Sequence, residues 1–263
     1  MKLRKRRLLL LREHPRGLNA SGAAGSRTRL SGVALLIHAL VVALALGGCR
    51  ATGGAPGNPI GIMAQWFSVL DGDDIRDSCR AGSGDRYRLI YNGRFQEQIR
   101  VYDVTRYGQE EAILGARAVR PGLNFSSPQG FDPGWQTSRT RLAPAEFAEF
   151  RRRLEQSGFY DPTPVGLELF SSDFYWVGIS CENGNFHYMA YARPSPRFDA
   201  LTFPQFLFDH DETGLAVNPP RNIPASERLR AQGGGIGRAY DDTSPRFRFV
   251  VDKNGIKGNY GLL

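Results

Sequence analysis

The sequence predicts an α+β fold: an antiparallel sheet of about four or five strands with helices on one face, plus a Gly/Pro-rich tail. Two observations carry this. Residues 85–104 and 173–193 each alternate in hydropathy around an Asn-Gly pair, a strong short-range hairpin signal. Before, between and after them stand stretches whose apolar residues have helical spacing. An order of helix, hairpin, helix, hairpin, helix favours helices packed on an antiparallel sheet. With 31 Gly and 16 Pro in 263 residues, the composition argues against a compact helical bundle.

The elements follow in order. Ile62, Met63, Trp66, Phe67 and Leu70 have helical spacing, which breaks at Asp71-Gly72; Asp73 can cap a second short turn carrying Ile75 and Cys79. A turn at Asn92-Gly93 would set Ile90 opposite Phe95 and Arg88 opposite Glu97, with Tyr87, Leu89 and Tyr91 on the other face. A further strand is expected near residues 111–119, then a long excursion over residues 121–141 that contains Trp135. Pro144 suits the first position of a helix to about Ser157, with Phe147, Phe150 and Leu154 buried, Glu149 and Arg153 paired outside, and Gly158 as the stop.

The second hairpin turns at Asn183-Gly184. Its register pairs Cys181 with Phe186, Ile179 with Tyr188 and Val177 with Ala190 on one face, and Ser180 with His187, Gly178 with Met189 and Trp176 with Tyr191 on the other. Apolar side chains on both faces point to a central hairpin. Residues 198–209 read as a short buried helix containing Pro204, or as a packed loop. Residues 216–263 read as a weakly structured tail with room for one edge strand at Phe247 to Val251.

The net charge of +8 is unevenly placed. Residues 1–48 hold nine bases against Glu13 alone, so the remaining 25 bases meet 25 acids. A neutral body lacks the basic stripe that nucleic-acid binding demands. The basic stretch precedes about 14 apolar residues that end in small residues, the pattern of a secretory signal peptide; the run is short for a spanning helix, and the alternative is an uncleaved N-terminal anchor.

The leader ends in Leu46-Gly47-Gly48-Cys49, which resembles the lipobox of bacterial lipoproteins. The resemblance implies that residues 1–48 are removed and that Cys49 is acylated, so that membrane lipid is a partner through Cys49. It places the body in the cell envelope, facing the periplasm, and Arg50 rather than Asp after the cysteine favours the outer membrane. Residues 49–61 then read as a lipidated flexible tether and residues 62–215 as the α+β domain. In an exported chain the remaining cysteines, Cys79 and Cys181, are most simply one disulfide; the alternative is a reactive thiol.

Chemistry is sparse. The body holds two histidines, His187 and His210. Ser180 opposite His187, with Glu182 on the same face, is the best nucleophile–base arrangement on offer, and a hydrolase using them is the alternative to a non-enzymatic envelope protein. Gly178 to Glu182 lacks the final glycine of the hydrolase elbow. Asp209, His210 and Asp211, with Glu212, form the alternative metal site, although adjacent residues seldom converge on one ion. No cofactor is expected. Tyr87, Tyr91, Tyr102, Trp176, Tyr188 and Tyr191, near Arg88, Arg94, Arg100 and Arg193, read chiefly as packing. Exposed on the sheet, they would instead suit a peptide, glycan or envelope-protein partner.

Overall fold

The computed structural model describes residues 66–108, 111–120, 134–232 and 247–257. The expected signal peptide, Cys49 and the tether lie outside them. So do residues 121–133 of the expected excursion and residues 233–246 and 258–263 of the expected tail.

A mixed fold is present, built on a larger antiparallel sheet than predicted. Six strands run in the order β4-β3-β2-β1-β6-β7: β1 (Asp85–Gly93), β2 (Ile99–Arg106), β3 (Ala112–Val119), β4 (Gln136–Leu142), β6 (Phe174–Glu182) and β7 (Asn185–Ala192). A second sheet has the order β5-β8-β9, from β5 (Glu168–Phe170), β8 (Arg248–Asp252) and β9 (Gly255–Lys257). The extra strand of the main sheet is β4, inside the stretch read as an excursion. Its sequence, Gln-Thr-Ser-Arg-Thr-Arg-Leu, is polar because it is an edge strand, mostly exposed until Leu142.

Helices on one face alone is also corrected. The helix face carries α2 (Pro144–Gln156), α3 (Pro196–Asp199) and α4 (Phe203–Asp209), which bury Phe147, Phe150, Leu154, Phe203, Phe206 and Leu207 against Tyr87, Leu89, Tyr102 and Trp176. On the opposite face, a helical stretch over residues 66–71, α1 (Asp73–Ser78) and the small sheet cover Ile90, Val177, Ile179 and Tyr188. Strands with apolar residues on both faces, such as β1 and β6, require a layer on each side. We call this second side the hairpin face.

The second hairpin has the predicted register throughout, from Cys181 opposite Phe186 to Trp176 opposite Tyr191. Its β7, however, is an edge strand of the main sheet rather than a central one. The first hairpin differs from expectation. Ile90 faces Val101 and Arg88 faces Asp103, so Asn92 and Gly93 belong to the strand. Asn92 is fully buried and its amide donates to the carbonyls of Ser171 and Asp173 at 3.1 and 2.6 Å. The chain reverses over residues 94–98 instead, with Arg94 at φ 63° and the Gln98 amide donating to the Arg94 carbonyl at 2.9 Å.

Helix α2 matches its predicted bounds, and Gly158 ends it at φ 67°. The N-terminal helical segments are fastened to both sheets. Tyr188 donates to the Leu70 carbonyl at 2.9 Å, and Asp71 accepts from the Ile256 amide at 2.8 Å. A disulfide joins Cys79, just after α1, to Cys181 on β6. Within residues 216–257 the described elements are α5 (Ala225–Gln232) and the β8–β9 hairpin.

Candidate functional site

The β6–β7 hairpin sets Ser180 and His187 opposite one another on the helix face, close to the turn. The register is right for a pair, but the partners of each group lie elsewhere. The His187 Nε2 lies 2.6 Å from the Phe159 carbonyl, so that nitrogen donates to the backbone. Ser180 is buried at 1% exposure, and among the described residues no hydrogen bond joins its hydroxyl to the imidazole. Glu182 does not orient the ring. Its carboxylate accepts from Tyr160 through one oxygen and from Arg151 through the other at 2.7 Å. Burial, reinforced by the hydrogen bond to Glu182, pushes the Tyr160 hydroxyl above its ordinary value. A nucleophile needs an accepting base within reach and a third group holding that base; here the base and the carboxylate serve the junction between α2, Phe159-Tyr160 and the hairpin.

The acidic run at the end of α4 is dispersed in the same way. Asp209 accepts from Gln205 at 2.6 Å, and the His210 Nδ1 lies 2.8 Å from the Phe206 carbonyl. Asp211 turns inward to Arg100 and to the Tyr102 hydroxyl, the latter at 2.7 Å. Among the described residues no cluster of three or more His, Cys, Asp or Glu could hold a metal ion.

Asp211 belongs to a buried polar clasp. Arg100 also donates to Gln98 at 2.9 Å and to the Leu215 carbonyl. Gln98 donates to the Ala216 carbonyl at 2.8 Å and accepts from the Asn218 amide at 2.9 Å, while Tyr91 donates to the Asn218 carbonyl at 2.7 Å. Residues 211–218 are thereby laid along β1 and β2. Their carbonyls and amides find partners on side chains, as buried backbone must.

The tyrosine-rich face is not a surface. Tyr87, Tyr91, Tyr102, Trp176, Tyr188 and Tyr191 are each at most 2% exposed. Tyr188 packs on the hairpin face; the others pack with one another and with the helices, as in Tyr91 on Trp176 at 4.9 Å and Tyr87 on Phe150 at 5.3 Å. Arg100 is buried with the helix-face tyrosines and Arg88 on the hairpin face, and both are occupied by carboxylates.

One feature escaped the sequence reading. Arg117 on β3 and Arg139 and Arg141 on β4 extend the hairpin face beyond its cover, and Arg141 is 80% exposed. The alternation of Ile113, Gly115 and Arg117 with Ala112, Leu114 and Ala116 contains the signal, but it emerges only once β4 is known to pair with β3.

No family model, curated protein or solved structure matches this chain.

Proposed function

We propose that the chain is a lipid-anchored cell-envelope lipoprotein whose α+β domain has a binding or structural role rather than a catalytic one. The observation that carries this reading is the Cys79–Cys181 disulfide, which suits an oxidising compartment. It agrees with a leader of signal-peptide pattern ending in Leu46-Gly47-Gly48-Cys49. Acyl chains on Cys49 would hold the protein at the membrane, with Arg50 favouring the outer one. Among the described residues no helix is long and apolar enough to cross a membrane. The non-catalytic part of the reading is supported by the engagement of His187 and Glu182 with groups other than Ser180.

The test is metabolic labelling with palmitate. The wild-type chain is expected to take up label and Cys49→Ala to lose it; label that persists in the variant overturns the proposal.

A further inference from the structure

The hairpin face of the main sheet is divided along a diagonal. Its apolar half lies under residues 66–78 and the small sheet. The other half carries five arginines on neighbouring strands: Arg86 and Arg88 on β1, Arg117 on β3, and Arg139 and Arg141 on β4. The register puts them on one face, since Arg88 is opposite Asp103, Asp103 opposite Gly115 and Gly115 opposite Arg139.

Among the described residues three carboxylates answer these five guanidinium groups, of which Arg88 is itself buried. Asp74 of α1 holds Arg86 at 3.3 Å and Arg88 at 2.7 Å. Asp103 holds Arg88 at 2.8 Å and Arg117 at 3.0 Å. Glu111 stands 3.8 Å from Arg141, both largely exposed. Arg139 is exposed and has no ion pair among the described residues. Among the described residues, positive charge therefore exceeds negative on this part of the face.

Around Gly115 the described residues leave the sheet uncovered. A Cβ at Gly115 would meet only the Asp103 carbonyl oxygen, at 3.7 Å. A small ligand needs a concavity that encloses most of its surface, whereas an open basic sheet complements an extended anionic plane. The chain also enters beside it. Residues 66–71 lead directly into α1, whose Asp74 is the group that binds Arg86 and Arg88. Even fully extended, the residues from Cys49 to Trp66 span at most about 60 Å, which confines an anchored domain to the neighbourhood of the bilayer and raises its effective concentration there.

We infer that the arginine half of the hairpin face docks the domain onto the anionic phospholipid headgroups of the membrane that holds Cys49. This rests on the lipoprotein reading. The chain purified from its host membrane is reconstituted with vesicles of phosphatidylcholine alone, and of phosphatidylcholine with phosphatidylglycerol, and amide hydrogen exchange is followed. Flotation with both vesicles is expected from the anchor. Docking adds several-fold slower exchange in β3 and β4 on the phosphatidylglycerol vesicles only, reversed by high salt and absent in Arg139→Glu/Arg141→Glu. Exchange in β6 and β7 reports that the variant is folded. Equal exchange on both vesicles, with flotation intact, overturns docking and leaves the anchor standing. Slowing by inorganic phosphate without vesicles overturns it in favour of a discrete anion site. Flotation with neither vesicle sinks the lipoprotein reading, and the docking with it.

Discussion

Arg100 and Asp211 form an ion pair sealed between the sheet and the segment after α4, their side chains 0% and 2% exposed. Two such charges repay their desolvation only together. Asp211→Ala strands the guanidinium, and a loss of about 3–5 kcal/mol is expected in urea unfolding. Arg100→Met/Asp211→Leu should lose much less. Equal losses in the two variants would show that the clasp acts through its hydrogen bonds and not its charges.

The same carboxylate sets an acid limit. Burial pushes Asp211 up, but hydrogen bonds from Thr213 and Tyr102 and the charge of Arg100 outweigh it, leaving the group below its ordinary value. A carboxyl lower in the folded than in the unfolded state contributes stability above its unfolded value, about pH 4, and loses it as pH falls through the folded one. Urea midpoints should therefore be level near neutrality and fall below about pH 4. Asp211→Asn should make the acid limb shallower, and an unchanged limb would assign it to other groups held low, such as Asp74 and Glu97.

The disulfide closes a loop between residues 102 apart in sequence. Cys79→Ala/Cys181→Ala is expected to cost about 2–5 kcal/mol, because the unfolded chain regains its freedom. Unfolding with and without reductant should differ in the wild type and coincide in the variant.

Gly178 sits on β6 where a Cβ would lie 2.4 Å from the Phe159 ring and 3.2 Å from Leu89. A fully buried ring wedged below α2 cannot yield as a surface side chain does. Gly178→Ala is expected to cost about 1–3 kcal/mol by overpacking, read as a lower melting temperature. A neutral substitution would mean that Phe159 has room to move.

Ser180 is expected to stay unlabelled by a fluorophosphonate probe, because it is buried and His187 donates to Phe159. Labelling that disappears in Ser180→Ala would reverse this and return the hydrolase alternative.

Much of the fold is written in local pattern. The β6–β7 hairpin was readable because Asn183, at φ 49°, and Gly184, at φ 81°, supply the left-handed residues of a two-residue turn. Helix α2 was readable because Pro144, the Phe147-Phe150-Leu154 stripe and Gly158 agree. Asn92-Gly93 misled because its roles are tertiary. Asn92 binds the segment before β6, and a Cβ at Gly93 would meet the Tyr91 ring at 2.9 Å. Strand β4 was hidden by its polar edge, and the cover of the hairpin face by the sequence distance between Asp71 and Ile256. The Ser180–His187 arrangement was legible as a register, but alternation gives the face of the two residues and not what Phe159 and Tyr160 bring to it.

The link between Cys79 and Cys181 also determines how the molecule bears mechanical load. Tension drawn on the chain ahead of Cys79 can peel residues 66–78 from the hairpin face, but no further. At Cys79 the pull crosses into β6, which is hydrogen-bonded to β1 on one side and β7 on the other. The residues between the cysteines are bypassed, and with them β1 to β5 and α2. Slack in the first helical segments is spent while the interior of the sheet stays unstretched.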